Sequence, residues 1–412
     1  MKEGSHSRRA AVPLTRIETM FDELRRKWRE GREAWRGVRA FEALPASARR
    51  IVFYAETAAD WAHLTPVAHA LEEKGTPIVR LTSDRNDPVL RSAGAFFIGS
   101  GSSRTVLFRT IEADALVMTL SDLDQFHLKR SAHQVHYFYL FHSIASTHRV
   151  YREHAFDAYD TVLCVGPHQI DEIRRAEEVY SLRPKRLLEH GYGRLDTLMS
   201  DLATREPAAV SDTIRVLIAP SWGDCSLVQH GLDEMIGTLL AAELEVSIRL
   251  HPMTVRHQPD LPERLVRTWG ARGRFHFDPD VGTTEALLAA DVMISEWSGA
   301  ALEYAFARER PVLFVDTPPK IHNPNYAKIA LPALESDIRE AIGRVVSPDA
   351  IVEMPQVIGE LVSAAPEWRE RIAAIRERTV FNVGSSGAAG AALILDTLSP
   401  GRTPALRAGE HR

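Results

Sequence analysis

From residue 50 onward, apolar residues fall in short runs separated by stretches whose apolar positions recur every three or four residues. Residues 50–55 (RIVFYA) form the first run, and 61–74 (WAHLTPVAHALEEK) the first helix, ended by Gly75 and Pro77. Runs at 77–82, 95–98, 113–119, 135–141 (VHYFYLF) and 161–165 (TVLCV) predict further strands, followed by a helix over 169–179 and a strand over 186–189. These runs are apolar throughout rather than alternating, as strands buried on both faces of a parallel sheet must be. The second half is more regular, with strands over 215–219, 246–250 and 274–277 and helices over 227–242, 261–270 and 284–289. Helices over 338–346, 357–362, 368–378 and 388–398 complete the pattern, and the last dozen residues are expected to fray.

Strands alternating with helices of this length imply parallel sheets with right-handed crossovers. Between 198 and 212 the chain turns polar and loses periodicity, the composition of a linker. The expected organisation is therefore an N-terminal helix (1–48), a first sheet domain (49–198), a linker (199–212), a second sheet domain (213–380) and a C-terminal helix and tail (381–412). The fold class is α/β, with two Rossmann-like parallel-sheet domains facing across a cleft.

The stretch 291–318 (DVMISEWSGAALEYAFARERPVLFVDTP) condenses that architecture into strand, polar turn, helix and strand. Ser298 and Gly299 fall where the helix begins, so their backbone N–H groups have no intrahelical partner and form a candidate anion site. The other reading of Ser298 is a plain helix cap.

A chain of 412 residues, 45% hydrophobic and 25% charged, has the composition of a globular protein of two domains. The two cysteines, Cys164 and Cys225, offer no disulfide framework, and a reducing compartment fits. No apolar run approaches the roughly 20 residues of a spanning helix, and the polar start MKEGSHSRRA has no signal-peptide core behind it, so a cytoplasmic location is expected. The net charge of −5 conceals an asymmetry: residues 1–50 carry 13 Lys/Arg against 7 Asp/Glu. Over 15–43, Ile17, Phe21, Leu24, Trp28, Trp35 and Val38 recur at helical spacing among arginines. Such a helix can pack on its own domain, pair with a copy of itself, or lie on an anionic membrane surface.

Ligands of open α/β sheets bind beyond the carboxyl ends of the strands, so the residues after each strand are the candidates. Strand RVLIA leads into Pro220, Ser221, Trp222 and Gly223, and VSIRL into His251 and Pro252. DVMI leads into Ser295 to Gly299, and VHYFYLF into His142, Ser143 and Ser146. No nucleophile elbow, phosphate-binding glycine loop or HExxH motif occurs, and the spacing of His142 to His148 does not place both on one helix face, so no metal site is expected. Two domains that each bring a histidine to a shared cleft suit a reaction between two bound substrates, that is, group transfer.

Taken in order, HSIASTHRVYREHAFDAYD, HGYGRLD, APSWGD, RLHP and SEWSGAALEYAFARERPVLF resemble the CDP-glycerol glycerophosphotransferase family, over about residues 50–320. These enzymes build teichoic-acid-like and capsular polyol-phosphate polymers on a two-domain, glycosyltransferase-B type fold. The resemblance implies that His142, in Phe-His-Ser where the family usually has Trp-His-Gly, takes the proton of the acceptor hydroxyl. It places His251 and Arg249 near the donor pyrophosphate, and Ser298 and Gly299 where a Ser-Ser pair binds donor phosphate. Ser221 and Trp222 match the segment usually read Pro-Thr-Trp, and Ser295 precedes the phosphate pair. Glu303 matches an acidic residue on the same helix, spaced for ribose hydroxyls, or else is a solvated first-turn Glu. HGYGRLD, with Arg194 and Asp196, resembles Gly-Tyr-Pro-Arg-Asn-Asp, and with Ser143, Ser146 and His148 marks the acceptor side.

The implied reaction is attack of an acceptor hydroxyl on the β-phosphorus of CDP-glycerol, with release of CMP. Its partners would be a nucleotide-activated polyol donor, a lipid-linked or glycan acceptor and the inner membrane face, with no nucleic acid and no cofactor beyond the donor. A sugar transferase or epimerase using a UDP-sugar is the alternative enzyme, because a phosphate cradle and an acidic helix residue do not identify the nucleotide. A catalytically silent protein that binds a nucleotide-activated polyol is the alternative outside catalysis.

Overall fold

In the computed structural model, which describes residues 14–205, 213–279 and 284–399, the short apolar runs gain stability by pairing side by side into two parallel sheets. The first half runs α1 (Leu14–Glu42), β1 (Ile51–Ala55), α2 (Trp61–Glu73), β2 (Ile78–Thr82), β3 (Ala95–Phe97), α3 (Ser102–Thr110) and β4 (Ala115–Met118). It continues β5 (His136–Leu140), α4 (Thr147–Val150), β6 (Thr161–Cys164), α5 (Pro167–Val179), β7 (Arg186–Glu189) and α6 (Gly193–Thr204). Its strands lie in the order β3-β2-β1-β4-β5-β6-β7.

The second half begins β8 (Arg215–Ile218), α7 (Leu232–Ala241), β9 (Glu245–Arg249), α8 (Pro252–His257), α9 (Leu261–Trp269), β10 (Phe275–Asp278) and α10 (Glu285–Ala289). It continues β11 (Val292–Ser295), α11 (Gly299–Arg308), β12 (Val312–Val315), α12 (Leu334–Ile338), β13 (Gly343–Val346), α13 (Met354–Ser363), α14 (Ala365–Thr379) and α15 (Ser386–Leu398). Its order is β10-β9-β8-β11-β12-β13. Both sheets reverse direction of winding at one point, β1/β4 in the first and β8/β11 in the second, and crevices open beyond the strand ends at such points. β1, β4, β8 and β11 are buried along nearly their whole length, which is why they read as unbroken apolar runs.

Three expectations need correction. The polar stretch after 198 is not a linker along its first part, because α6 continues to Thr204; Leu195 and Leu198 are buried, and Met199 and Leu202 pack on the same core. Residues 206–212 lie outside the described part. The helix expected over 338–346 is the end of α12 followed by strand β13, in which Gly343 pairs with Val312 at a distance no side chain fits: a Cβ would stand 1.9 Å from the Val312 carbonyl oxygen. The helix expected over 227–242 begins only at Leu232, after Gly231 takes the left-handed φ of 81°.

The chain closes by crossing back. α15 lies on α2, with Ala391 and Ile394 in one cluster with Leu64 and Val67. At the other end, α1 buries Ala34, Val38 and Phe41 in the first domain's core, and Gly37 lets the helix touch the backbone of Phe97. Trp28 is 63% exposed, with the Arg32 guanidinium 4.7 Å from its ring centre. The side chains of Ile17, Phe21 and Leu24, and the last dozen residues, lie outside the described part. Among the described residues, no helix is long and apolar enough to cross a membrane.

Candidate active site

A cleft of about 1310 Å³ opens between the carboxyl ends of the two sheets. His63, His142, Ser143, Arg149 and Arg194 line it from the first domain; Trp222, His251, Ser298, Gly299 and Lys320 line it from the second.

His142 follows β5 and is exposed, its ring presented to the cleft. Desolvation by the cleft walls around the ring lowers its pKa from the usual histidine value, against the opposing charge of Asp60 and a ring N–H donated to the backbone of Thr119. The ring is thus neutral at pH 7, with one nitrogen committed and the other available to take a proton. Asp60, at the start of α2, accepts the Thr119 hydroxyl at 2.8 Å, which joins the ends of β1, β4 and β5 around the ring. His63 stands 6.1 Å from His142, centre to centre, and burial, His142 and Arg194 all push its pKa well down. Tyr151 Oη lies 3.5 Å from His142 Nε2.

On the opposite wall, His251 caps α8: its Nδ1 accepts the Met253 N–H at 3.1 Å. The ring proton therefore sits on Nε2. Burial, and then the charge of Lys320, lower its pKa to about 4, so it enters the site as a neutral donor. Trp222 is surrounded by His251, His257 and His322 at centroid distances of 6.1, 6.4 and 5.0 Å, with Lys320 Nζ 4.9 Å from its ring centre. Ser298 does cap α11, accepting from Ala300 N at 3.3 Å, and it also lines the cleft. Gly299 faces the other domain: a Cβ there would lie 2.9 Å from Ser143 Oγ.

Several expected site residues are occupied elsewhere. Glu303 lines the cleft, with Oε2 taking Arg194 Nε at 2.9 Å and Oε1 taking the Tyr192 hydroxyl at 2.6 Å, so in this arrangement it joins the domains. Arg249 gives both Nε and a terminal nitrogen to Asp278 at 2.7 and 2.5 Å, and it is buried at the end of β9, outside the cleft lining. Ser295 turns inward and donates to the Ala219 carbonyl at 2.7 Å. Ser221 borders the cleft, but its hydroxyl and N–H both go to Glu296 Oε1 at 2.7 Å.

On the first domain, Ser146 is buried at the domain junction, where its hydroxyl accepts the Leu334 N–H at 2.6 Å. His148 is buried against Glu172, Nδ1 to Oε1 at 3.2 Å. Asp196 caps α15, accepting the N–H groups of Gly384 and Ser386 at 2.7 and 2.8 Å. Asp60, His63, Thr119, Glu296 and Lys320 were not anticipated. Asp60 and His63 do follow a predicted strand and open a predicted helix, the same rule that found the others; Lys320 lies in an irregular segment with no periodic signal.

The two Rossmann-like sheets and the cleft between them constitute the glycosyltransferase-B fold. No family model matches the chain, and no curated protein matches it. Among solved structures, a variant of the wall teichoic acid polymerase TagF superposes with a TM-score of 0.57 at 13% identity, over 94% of this chain and 98% of that one. A glycosyltransferase from Rickettsia africae ESF-5 gives 0.55 at 12% identity, covering 86% and 99%. The UDP-GlcNAc 2-epimerase of Neisseria meningitidis, bound to UDP-GlcNAc, gives 0.52 at 15%, covering 85% and 99%. At these identities what is shared is the fold.

Proposed function

We propose that this protein transfers a glycerol-phosphate, or related polyol-phosphate, group from CDP-glycerol to an acceptor hydroxyl. The observation that carries the reading is the meeting of His142 from one domain and His251 from the other in a single cleft, both held neutral. The acceptor oxygen attacks the β-phosphorus, its proton passes to the unprotonated ring nitrogen of His142, and the bond from the β-phosphorus to the bridging oxygen breaks. CMP leaves with that oxygen and its electron pair, and the acceptor keeps a phosphodiester. His251 Nε2–H and the Gly299 N–H at the start of α11 are the donors that face the charge that builds on the leaving phosphate.

The first domain then receives a lipid-linked or glycan acceptor and the second the nucleotide, at the inner membrane face, which α1 approaches. TagF is named a teichoic acid polymerase, and one of its structures followed a soak with CDPG, which accords with this reading. A UDP-sugar donor is the second reading, favoured by the UDP-GlcNAc-bound epimerase of the same fold. Thermal shift with CDP-glycerol, CDP-ribitol and UDP-GlcNAc, followed by measurement of CMP release on a synthetic glycerol-phosphate acceptor, separates the two, since ligands that bind only the native state raise its melting temperature. Stabilisation by UDP-GlcNAc alone would overturn the polyol-phosphate assignment.

A further inference from the structure

With Arg249 committed to Asp278, the donor side of the cleft needs another cation for a diphosphate, and among its described lining residues Lys320 is the one lysine or arginine. Lys320 lies in the irregular segment after β12, with its ammonium over the Trp222 ring. Arg194, across the cleft, is already neutralised by Glu303. Arg149, also across it, donates to Ser336 Oγ at 2.8 Å.

We infer that Lys320 is the residue that pairs with the donor's diphosphate, holding the phosphate that leaves as part of the nucleotide. This deepens the transferase reading and rests on its assignment of the second domain to the nucleotide.

The groups facing Lys320 support the assignment. Glu296, on the turn after β11, is a carboxylate whose charge acts on it, yet Oε1 of that carboxylate is taken by Ser221 and by the Leu227 N–H at 3.3 Å. No ion pair between Glu296 and Lys320 is formed, and Glu296 Oε2 is buried with no hydrogen-bond partner. Cys225, His251 and His322 are the other titratable groups around it; neither histidine carries charge at pH 7, and both are depressed further by the lysine. The half-buried ammonium is thus partly withdrawn from water without a carboxylate in contact, and burial lowers its pKa to about 8 despite Glu296. A cation left in that condition is stabilised by an arriving anion, and its pKa rises when the anion binds. The ring of Trp222 beneath it offers a flat apolar surface and a cation–π contact, which position the ammonium without neutralising it.

The test is isothermal titration of CDP, UDP and inorganic pyrophosphate into the full chain at pH values from 6.5 to 9.5, for the parent, Lys320→Met and Lys320→Arg, with a melting curve for each. On top of the ligand's own phosphate ionisation at about pH 6, which every variant shares, affinity in the parent should fall above pH 8 as the free ammonium loses its proton. Lys320→Met should lower diphosphate affinity by about tenfold to a hundredfold at pH 7 and remove that pH dependence. Lys320→Arg should keep most of the affinity but show no such fall up to pH 9.5, because a guanidinium does not titrate there. Parent-like affinity and an unchanged break near pH 8 in Lys320→Met would overturn the role of Lys320 while leaving the transferase reading intact. Lysine-dependent binding of UDP but not CDP would leave Lys320 in place and overturn the CDP-glycerol reading.

Discussion

Arg194 of the first domain and Glu303 of the second form a buried ion pair across the cleft, Nε to Oε2 at 2.9 Å. The same carboxylate takes the Tyr192 hydroxyl, which also lies 3.1 Å from the His142 carbonyl, so the helix that opens with Ser298 is tied to the backbone of the proposed base. The charge of Glu303 pushes the Arg194 pKa up, and the pair is largely withdrawn from water although both side chains border the cleft. Removing one partner leaves the other uncompensated. Glu303→Ala is therefore expected to cost about 3 to 5 kcal/mol in chemical denaturation, and Arg194→Met combined with Glu303→Met distinctly less. Equal losses in the single and double variants would show that the pair does not hold the domains together.

His142→Ala should abolish transfer and leave donor affinity nearly unchanged, because a base acts in the transition state and not in nucleotide binding. Asp60 supplies the sign of a second effect. Its charge raises the His142 pKa against burial, so Asp60→Asn should lower that pKa further. A base works only when unprotonated, and its activity is lost as pH falls through its pKa. The acid limb of the rate profile should thus move to lower pH in Asp60→Asn, even as the maximal rate drops with the loosened Thr119 contact. An acid limb that stays in place would remove His142 as the group titrating there.

Gly299→Ala places a methyl group 2.9 Å from Ser143 Oγ, so the domains must shift or the serine must turn. Overpacking of this kind costs about 1 to 3 kcal/mol, read as a lower melting temperature and a weaker donor response. Ser143→Ala removes the obstructing oxygen, and the double variant should recover most of the loss. Failure of the rescue would mean that the methyl group meets donor phosphate instead.

The sheets were legible because a strand covered on both faces has to be apolar throughout, and β1, β4, β8 and β11 are. β13 was not, because its four residues GRVV follow α12 at a spacing that reads as more helix, and only its pairing with β12 makes it a strand. Residues just beyond strand ends were found by position, but position does not say which way a side chain turns. Ser295 and Ser298 are three residues apart; one bonds to the neighbouring strand's end and the other faces the cleft. Arg249 looked available because its partner Asp278 ends a different strand. The irregular segment between β12 and α12 carries no periodic signal, yet it docks on the first domain through Asn323 Nδ2 to the His148 carbonyl at 2.9 Å and brings Lys320 into the cleft.

His190 gives the protein a weak point in acid. It is 1% exposed between α2 and α15, neither ring nitrogen has a hydrogen-bond partner among the described residues, and burial lowers its pKa to about 4. In the unfolded chain the ring titrates near 6.5, so between those values the unfolded state binds the extra proton. Its contribution to stability is complete above about pH 6.5 and is lost as pH falls toward 4, about 3 kcal/mol in all. His190→Leu should flatten the fall in denaturation free energy over that interval. An unchanged slope would assign the acid sensitivity to other groups.

The last prediction concerns α1. Its C-terminal part is fixed by Ala34, Val38 and Phe41 in the first domain's core, which excludes a role for the whole helix as a free membrane anchor. The part before residue 34 is different: Arg25, Arg26, Lys27, Trp28 and Arg29 are all exposed, and Trp28 presents its ring beside Arg32. A basic helical surface with an exposed tryptophan suits the headgroup region of an anionic bilayer, at about 1 kcal/mol per basic residue near the surface. Glu23, paired with Lys27 at 3.0 Å, and Glu30 reduce the attraction, so binding should be modest and reversed by salt. Deleting residues 1–43 would remove core side chains, so the informative variant keeps residue 34 onward and replaces Arg25, Arg26, Arg29 and Trp28 with Glu, Glu, Glu and Ser. Co-sedimentation with phosphatidylserine vesicles should be measurable for the parent at low salt, lost at high salt, and absent for the variant at either. Parent protein that stays in the supernatant at low salt would leave α1 with a packing role alone.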